Sequence, residues 1–290
     1  MPDAGEAMFD PVAADPAVGP GEPATTPPLH IRSAGEALLG LLHLPPGPGP
    51  HPTAVLLHGF PGNERNFDLA QALRRAGYAA LVFHYRGSWG VGGVYSWRHV
   101  LEDSARVVAA LREPAAVAEH RLDPDRLAVV GHSMGGFAAL LTAAADPRVR
   151  AVASVAGFDL GAVGARCRRD PAARAAFVGA FGRELLPLRG TSGEALVVEA
   201  EDGGADWELV RLAPRLTGRP VLLVGAGRDQ VAPVRVHHDP VVAAYRAHAG
   251  PRLEHRVFAT DHSLSDCRVA LARTVIDFLD RGMGAAPDSP

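Results

Sequence analysis

The stretch Leu127-Ala-Val-Val-Gly-His-Ser-Met-Gly-Gly-Phe-Ala-Ala-Leu-Leu-Thr-Ala-Ala-Ala145 decides the fold. Four apolar residues, Leu127 to Val130, read as a short buried strand. Phe137 onward reads as a helix built almost wholly from alanine and leucine. Between them stands Gly131-His132-Ser133-Met134-Gly135. A serine at such a sharp strand-to-helix turn is held in a strained conformation with its hydroxyl pushed up above the sheet. Glycines two residues to either side are required because a side chain there would strike the returning helix. Ser133 also stands at a helix N-terminus, where backbone N–H groups and the helix dipole favour a developing oxyanion. The Met134 N–H is one such donor.

Working outward, apolar strand-like runs alternate with helical stretches. Residues 29–31 and 38–44 read as an opening hairpin, and 53–57, 79–85, 149–155, 221–224 and 253–258 as further strands. Helical spacing covers 64–76, 100–112, 240–249 and 269–279, with Gly77 as a stop after the first of these and Pro114 as a break after the second. Continuous apolar strands separated by helices predict a mostly parallel central sheet with helices on both faces. About sixty residues, 158–219, separate the fourth and fifth core strands, roughly twice what a strand–helix–strand unit needs. An insertion there is expected to sit as a cap or lid over the end of the sheet where open α/β folds bind ligands. Trp207 within it is a candidate for closing the pocket from above.

Three more motifs follow the strand ends. His58-Gly59-Phe60-Pro61-Gly62 comes directly after strand 53–57, where the loop supplies a second oxyanion donor. Phe60 is that candidate, since Pro61 has no N–H to give. Arg228-Asp229-Gln230 follows strand 221–224, and Asp229 is placed to orient a histidine through its Nδ1–H. Thr260-Asp261-His262-Ser263 lies between the last strand and the last helix, and His262 is placed to serve as general base. Most of the thirteen histidines need no chemical role. His132 fills the variable position of the turn and is expected to point elsewhere. His237, His238 and His255 are poorly aimed, Asp261 reads as a turn residue, and Asp266 as serving the first turn of the last helix. Asp159, after the fourth strand, is a rival acid.

In that order, HGFPG, GHSMGG, GRDQVAP and TDHSLSD resemble the α/β-hydrolase superfamily over roughly residues 30–281. The stretch HYRGSWGVGGVYSW (84–97), followed by a helix carrying Glu102 and Asp103, resembles the branch of prolyl-oligopeptidase-like hydrolases (dipeptidyl- and acylaminoacyl-peptidase-like) and small esterases such as feruloyl esterases. The chain lacks the length for the N-terminal propeller of true oligopeptidases. What the resemblance implies is a serine hydrolase with Ser133, Asp229 and His262 as nucleophile, acid and base, Phe60 and Met134 at the oxyanion, and an acyl-enzyme intermediate. The expected substrate is a small-molecule ester or thioester. Amide or peptide cleavage, acyl transfer to an acceptor other than water, and a non-catalytic binding protein on the same fold are the rival readings. Arg86, Trp89 and Trp97 are candidates for shaping the substrate pocket, with Ser88 and Tyr95 beside them, and their alternative is packing within the loop.

The bulk composition is consistent with this reading. With 47% hydrophobic and 21% charged residues the chain has ordinary globular content. A net charge of −3 leaves no strong field for nucleic acid or anionic membrane. Cys167 and Cys267 are too few for a disulfide scaffold and are expected as reduced thiols. No metal-binding spacing appears and the chemistry requires no cofactor. No run reaches the roughly 18 apolar residues of a membrane span, and the N-terminus has no secretory pattern, so the expected location is cytoplasmic. Residues 1–28 carry seven prolines and little periodicity, so they are expected to be a flexible segment or an arm lying on the domain. Residues 29–281 form the predicted domain, and 282–290 a frayed tail.

Overall fold

The computed structural model describes residues 9–17, 19–248 and 252–283. Eight strands form one sheet in the order β1-β2-β4-β3-β5-β6-β7-β8. They are β1 (Pro28–Ser33), β2 (Glu36–His43), β3 (His51–Leu57), β4 (Ala79–Phe83), β5 (Leu122–His132), β6 (Ala151–Val155), β7 (Pro220–Ala226) and β8 (Arg252–Phe258). β2 runs antiparallel to both its neighbours, and every pairing from β4 to β8 is parallel. The mostly parallel α/β sheet expected from the sequence is thus the architecture. The helices are α1 (Phe67–Arg75), α2 (Trp97–Ala110), α3 (Pro114–His120), α4 (Met134–Ala145), α5 (Leu160–Cys167), α6 (Pro171–Gly182), α7 (Gly193–Gly203), α8 (Val234–His237), α9 (Asp239–Ala247) and α10 (Arg268–Met283).

The central strands are apolar on both faces, which is why their runs are continuous and not alternating. Val55, Val129 and Leu223 face one core with α2, α4 and α9. Ala54, Leu56, Val130 and Leu222 face the other, closed by α1 and α10. Local chemistry sets the helix ends. Gly77 has φ 91°, and its N–H and that of Tyr78 return to the carbonyls of Arg74 and Leu73, so it terminates α1 in the left-handed conformation that glycine tolerates. α1 begins at Phe67 and not at residue 64, because Asn66 is left-handed at φ 59° and the chain before it is loop. Pro114 ends one helix but also opens α3 from its first turn, where a missing N–H costs nothing.

Between β6 and β7 lie α5, α6, α7 and three short 3₁₀ turns. Side-chain caps start each α-helix: Asp159 accepts from Ala162 N–H at 3.0 Å, Asp170 from Ala172 and Ala173, and Ser192 from Ala195. This segment is tied to the loop after β4. Ser88 and Leu188 form a bridge, Trp89 N–H donates to Pro187 O at 3.0 Å, and Arg189 N–H donates to Gly87 O at 2.8 Å. From α2, the Trp97 indole donates to Leu196 O at 2.9 Å, and Glu199 accepts from the main-chain N–H of Trp97 and Arg98.

In the N-terminal segment, Val12 packs against the α1/α10 core, Arg75 donates to Pro11 O at 2.6 Å, and Thr25 bridges Leu44. The expectations for residues 1–8 and 284–290 lie outside the described residues. Both cysteines are free thiols. Among the described residues no helix is long and apolar enough to cross a membrane.

Candidate active site

The strands deliver their chemistry at one edge. Ser133 follows β5 with φ 57° and ψ −124°, a backbone conformation costly for a residue with a Cβ. It is held there by its own N–H donating to Val155 O at 2.8 Å. The flanking glycines are sterically compelled. A Cβ on Gly131 would lie 1.9 Å from Gly135 O, and one on Gly135 would lie 2.0 Å from Leu57 O. His262 Nε2 lies 2.8 Å from Ser133 Oγ, and His262 Nδ1 lies 2.6 Å from Asp229 Oδ2. The ionised carboxylate accepts from Nδ1–H, which leaves Nε2 as the acceptor for the serine hydroxyl.

The Asp229 carboxylate is fully buried. Burial pushes its acidity down, but the hydrogen bond and charge interaction with His262, joined by the N–H groups of Ala232 and Val231 on Oδ1 at 2.8 and 2.7 Å, outweigh it. The net result is a pKa below the usual carboxylate value. Asp159, the rival acid, is spent elsewhere: it caps α5, and its own N–H donates to His237 Nδ1 at 3.0 Å. Burial raises its pKa to about 6. Asp261 accepts from the N–H and hydroxyl of Ser265, as a turn residue does.

His132 does more than fill the turn. Its Nε2–H donates to the carbonyl of His262 at 2.8 Å, tying the loop after β8 to the turn that carries the serine. Burial, followed by the neighbouring His262 ring, lowers its pKa to about 4, so it stays a neutral donor. The signal was its place in the turn, one residue before Ser133, which sets its ring 5.0 Å from that of His262.

Phe60 and Met134 both border the cleft at Ser133. The Phe60 loop is braced from behind. His58 Nδ1 lies 2.8 Å from Gly59 O, and its Nε2 lies 3.4 Å from His84 Nδ1. The Trp89 indole donates to Pro61 O at 2.7 Å. Burial, then the charge of His84, lowers the His58 pKa to about 3.

The cleft over Ser133 encloses about 500 Å³, within the usual range for small-molecule sites. Of the four candidate pocket residues only Trp97 lines it. Arg86 is turned into the core, where its guanidinium meets Asp103 at 2.7 Å and Glu102 at 2.5 Å. A buried cation must be neutralised, and Asp103 also takes the Arg86 main-chain N–H and the Ser33 hydroxyl. Trp89 stands behind the Phe60 loop with the Arg65 guanidinium 4.5 Å over its ring. Trp207 is buried edge-on against Phe137, with ring centroids 5.5 Å apart. Phe158, Phe177 and Phe181 line the cleft instead. Sequence reading missed them because a phenylalanine on an apolar helix face, as Phe177 and Phe181 are, or beside a buried strand, as Phe158 is, looks like core. No group of residues suited to hold a metal ion occurs among the described residues.

Comparison with known proteins agrees with this fold. The 2,6-dihydropseudooxynicotine hydrolase of Paenarthrobacter nicotinovorans is 30% identical over 118 residues, which is 40% of this chain and 31% of that one. The chain spans less than two thirds of the length of the curated relatives it matches. An esterase of Pyrococcus furiosus superposes with a TM-score of 0.66 at 20% identity, covering 93% of this chain and 98% of that one. Est1E from Butyrivibrio proteoclasticus superposes with a TM-score of 0.62 at 18% identity, covering 88% and 98%. These likenesses are of fold. The model of the alpha/beta hydrolase family matches residues 54–274, a span that holds most of β3, the serine turn, Asp229 and His262, so this chain belongs to the alpha/beta hydrolase family.

Proposed function

We infer that the protein hydrolyses carboxylic esters or thioesters through Ser133, His262 and Asp229. The observation that carries this reading is the unbroken hydrogen-bond chain Asp229–His262–Ser133, at 2.6 and 2.8 Å, opening onto a cleft of small-molecule size. The esterase fold neighbour and the hydrolase relative support it.

In the first step Ser133 Oγ bonds to the substrate carbonyl carbon while His262 Nε2 takes the hydroxyl proton. Asp229 stabilises the imidazolium. The negative charge collects on the former carbonyl oxygen, where the Phe60 and Met134 N–H groups are offered as donors. The carbon–oxygen or carbon–sulfur bond to the leaving group then breaks, and His262 returns its proton to the departing atom. Water, deprotonated by the same histidine, attacks the acyl carbon; the bond from that carbon to Ser133 Oγ breaks, His262 returns the proton to Oγ, and the acid is freed. An ester is favoured over an amide because an alkoxide leaves with less assistance than an amine.

A fluorophosphonate probe tests the nucleophile. The expected result is one covalent adduct on Ser133 in the folded protein and none on Ser133→Ala, with p-nitrophenyl acetate turnover lost on the order of a million-fold in the variant. A folded wild-type protein without the adduct would overturn the reading. Turnover of peptidyl anilides at rates rivalling the esters would move the enzyme to amide chemistry.

A further inference from the structure

The chain is poor in aromatic residues, at 6% Phe, Trp and Tyr, yet five of the twenty residues around the cleft are aromatic: Phe60, Trp97, Phe158, Phe177 and Phe181. They come from four separate places, the loop after β3, the start of α2, the loop after β6, and α6. Four of the ten phenylalanines therefore converge beside one serine. Aliphatic lining is slight by contrast, consisting of Met134, Ala180 and Val231.

The arrangement is ordered around Phe181. Its ring centroid lies 5.5 Å from Phe60 and 5.5 Å from Trp97, both edge-on at 75° and 71°. Phe177, one turn earlier on α6, lies 5.9 Å away at 34°, and Phe158 lies 6.4 Å away at 69°. Edge-to-face and offset contacts at 4.5–7 Å are the geometry by which aromatic rings hold one another, and a further flat ring entering the cleft extends the same pattern. A flexible alkyl chain gains burial there but none of the ring-to-ring electrostatics. The wall is also preformed, because the loop that follows α6 is bonded through Pro187 and Arg189 to the Gly87–Trp89 backbone. The cost of organising it is met before substrate arrives.

Resting on the ester-hydrolase reading above, we propose that the wall of Phe60, Trp97, Phe158, Phe177 and Phe181 is an aryl subsite, and that the enzyme takes esters carrying an aromatic ring within a few bonds of the scissile carbonyl. Phe177 and Phe181 are its specificity-determining residues.

The test compares kcat/KM for methyl benzoate and methyl cinnamate against methyl butanoate and methyl octanoate, and for benzyl acetate against butyl acetate. An aryl preference of tenfold or more in either set is expected, and the set that shows it tells whether the ring sits on the acyl or the alcohol side. Replacing Phe177 or Phe181 by Leu keeps apolar bulk and removes a ring face, so the aryl-to-alkyl ratio should fall by about threefold to tenfold. A second readout does not require turnover: Ser133→Ala titrated with cinnamate and with hexanoate, followed by tryptophan fluorescence, should bind cinnamate more tightly. Alkyl esters cleaved as well as aryl esters in both sets, or hexanoate bound as tightly as cinnamate, would overturn the aryl subsite while the Ser133 adduct left the hydrolase reading standing. Absence of that adduct, with cinnamate still preferred, would do the reverse.

Discussion

At the scale of single residues, charge and hydrogen bonding decide which side chains reach the cleft. Asp229 is committed on both oxygens, one to His262 and one to the Val231 and Ala232 N–H groups. Asp229→Asn keeps the shape but offers His262 an amide whose donor and acceptor do not enforce one tautomer. The expected outcome is a fall in kcat of about ten-thousandfold for ester hydrolysis, by analogy with the same exchange in other serine triads. Steady-state kinetics on p-nitrophenyl acetate check it, and a loss under tenfold would remove Asp229 from its orienting role. Arg86 shows the other side of the same rule. Beside aromatic neighbours in sequence it resembles a pocket residue, but a buried guanidinium that meets the buried Asp103, with Glu102 reaching in from the surface, is bound there by the cost of leaving Arg86 or Asp103 unpaired.

At the scale of elements, β5, the serine turn and α4 act as one unit whose geometry is set by close backbone approach. A Cβ on Gly135 would press on the Leu57 carbonyl and would be 2.7 Å from that of His58. These are backbone atoms of β3 and of the loop that follows it, so no side-chain rotation relieves the contact. Gly135→Ala should cost about 1–3 kcal/mol of stability, in the range of overpacking. It should also lower kcat, because relief requires the start of α4, and Ser133 with it, to move away from the end of β3. Urea unfolding alongside initial rates checks this, and a variant as stable and active as the parent would mean that the turn has room the structure does not show. The turn was legible in the sequence because all its requirements lie within a few consecutive residues: a buried strand, two glycines, a helix start. The boundaries of α1 and β5 were less so. Asn66 turns left-handed beside its bond to Glu64, and β5 begins early because His51 of β3 pairs with Leu122 across the sheet. Neither event leaves a mark on apolar periodicity.

At the scale of the whole molecule, the fold buries histidines that stay uncharged. Burial is the leading cause in each case, lowering His58 to about 3 and His84, His132 and His237 to about 4. An unfolded chain protonates the same groups near 6.5. Between about pH 6.5 and 4 the unfolded state therefore holds more protons than the folded one, and stability rises with pH by about 1.4 kcal/mol per pH unit for each proton of difference. Asp159 opposes them. Its folded value of about 6 lies above the ordinary carboxylate value, so its contribution is present at low pH and lost as pH rises towards 6. Four groups against one leave a positive slope. Melting temperature should climb from pH 4.5 to 6.5 and then level, and a flat or falling curve over that window would show that these histidines are hydrated or paired in the native state.

The sequence alone determined the parallel sheet, the serine turn and the strand ends that carry Asp229 and His262. Each of these is specified by neighbours a few residues apart, where steric and hydrogen-bonding demands act locally. Only the tertiary structure decided what surrounds the serine. Phe60, Trp97, Phe158 and Phe181 meet because packing of the insertion against α2 and the loop after β3 brings distant positions together. The same packing turned Arg86, Trp89 and Trp207 away, each towards a partner that a linear sequence does not place beside it. A local motif carries its own geometry, whereas a pocket wall is the sum of contacts between segments distant in sequence and exists only once burial has chosen which faces meet.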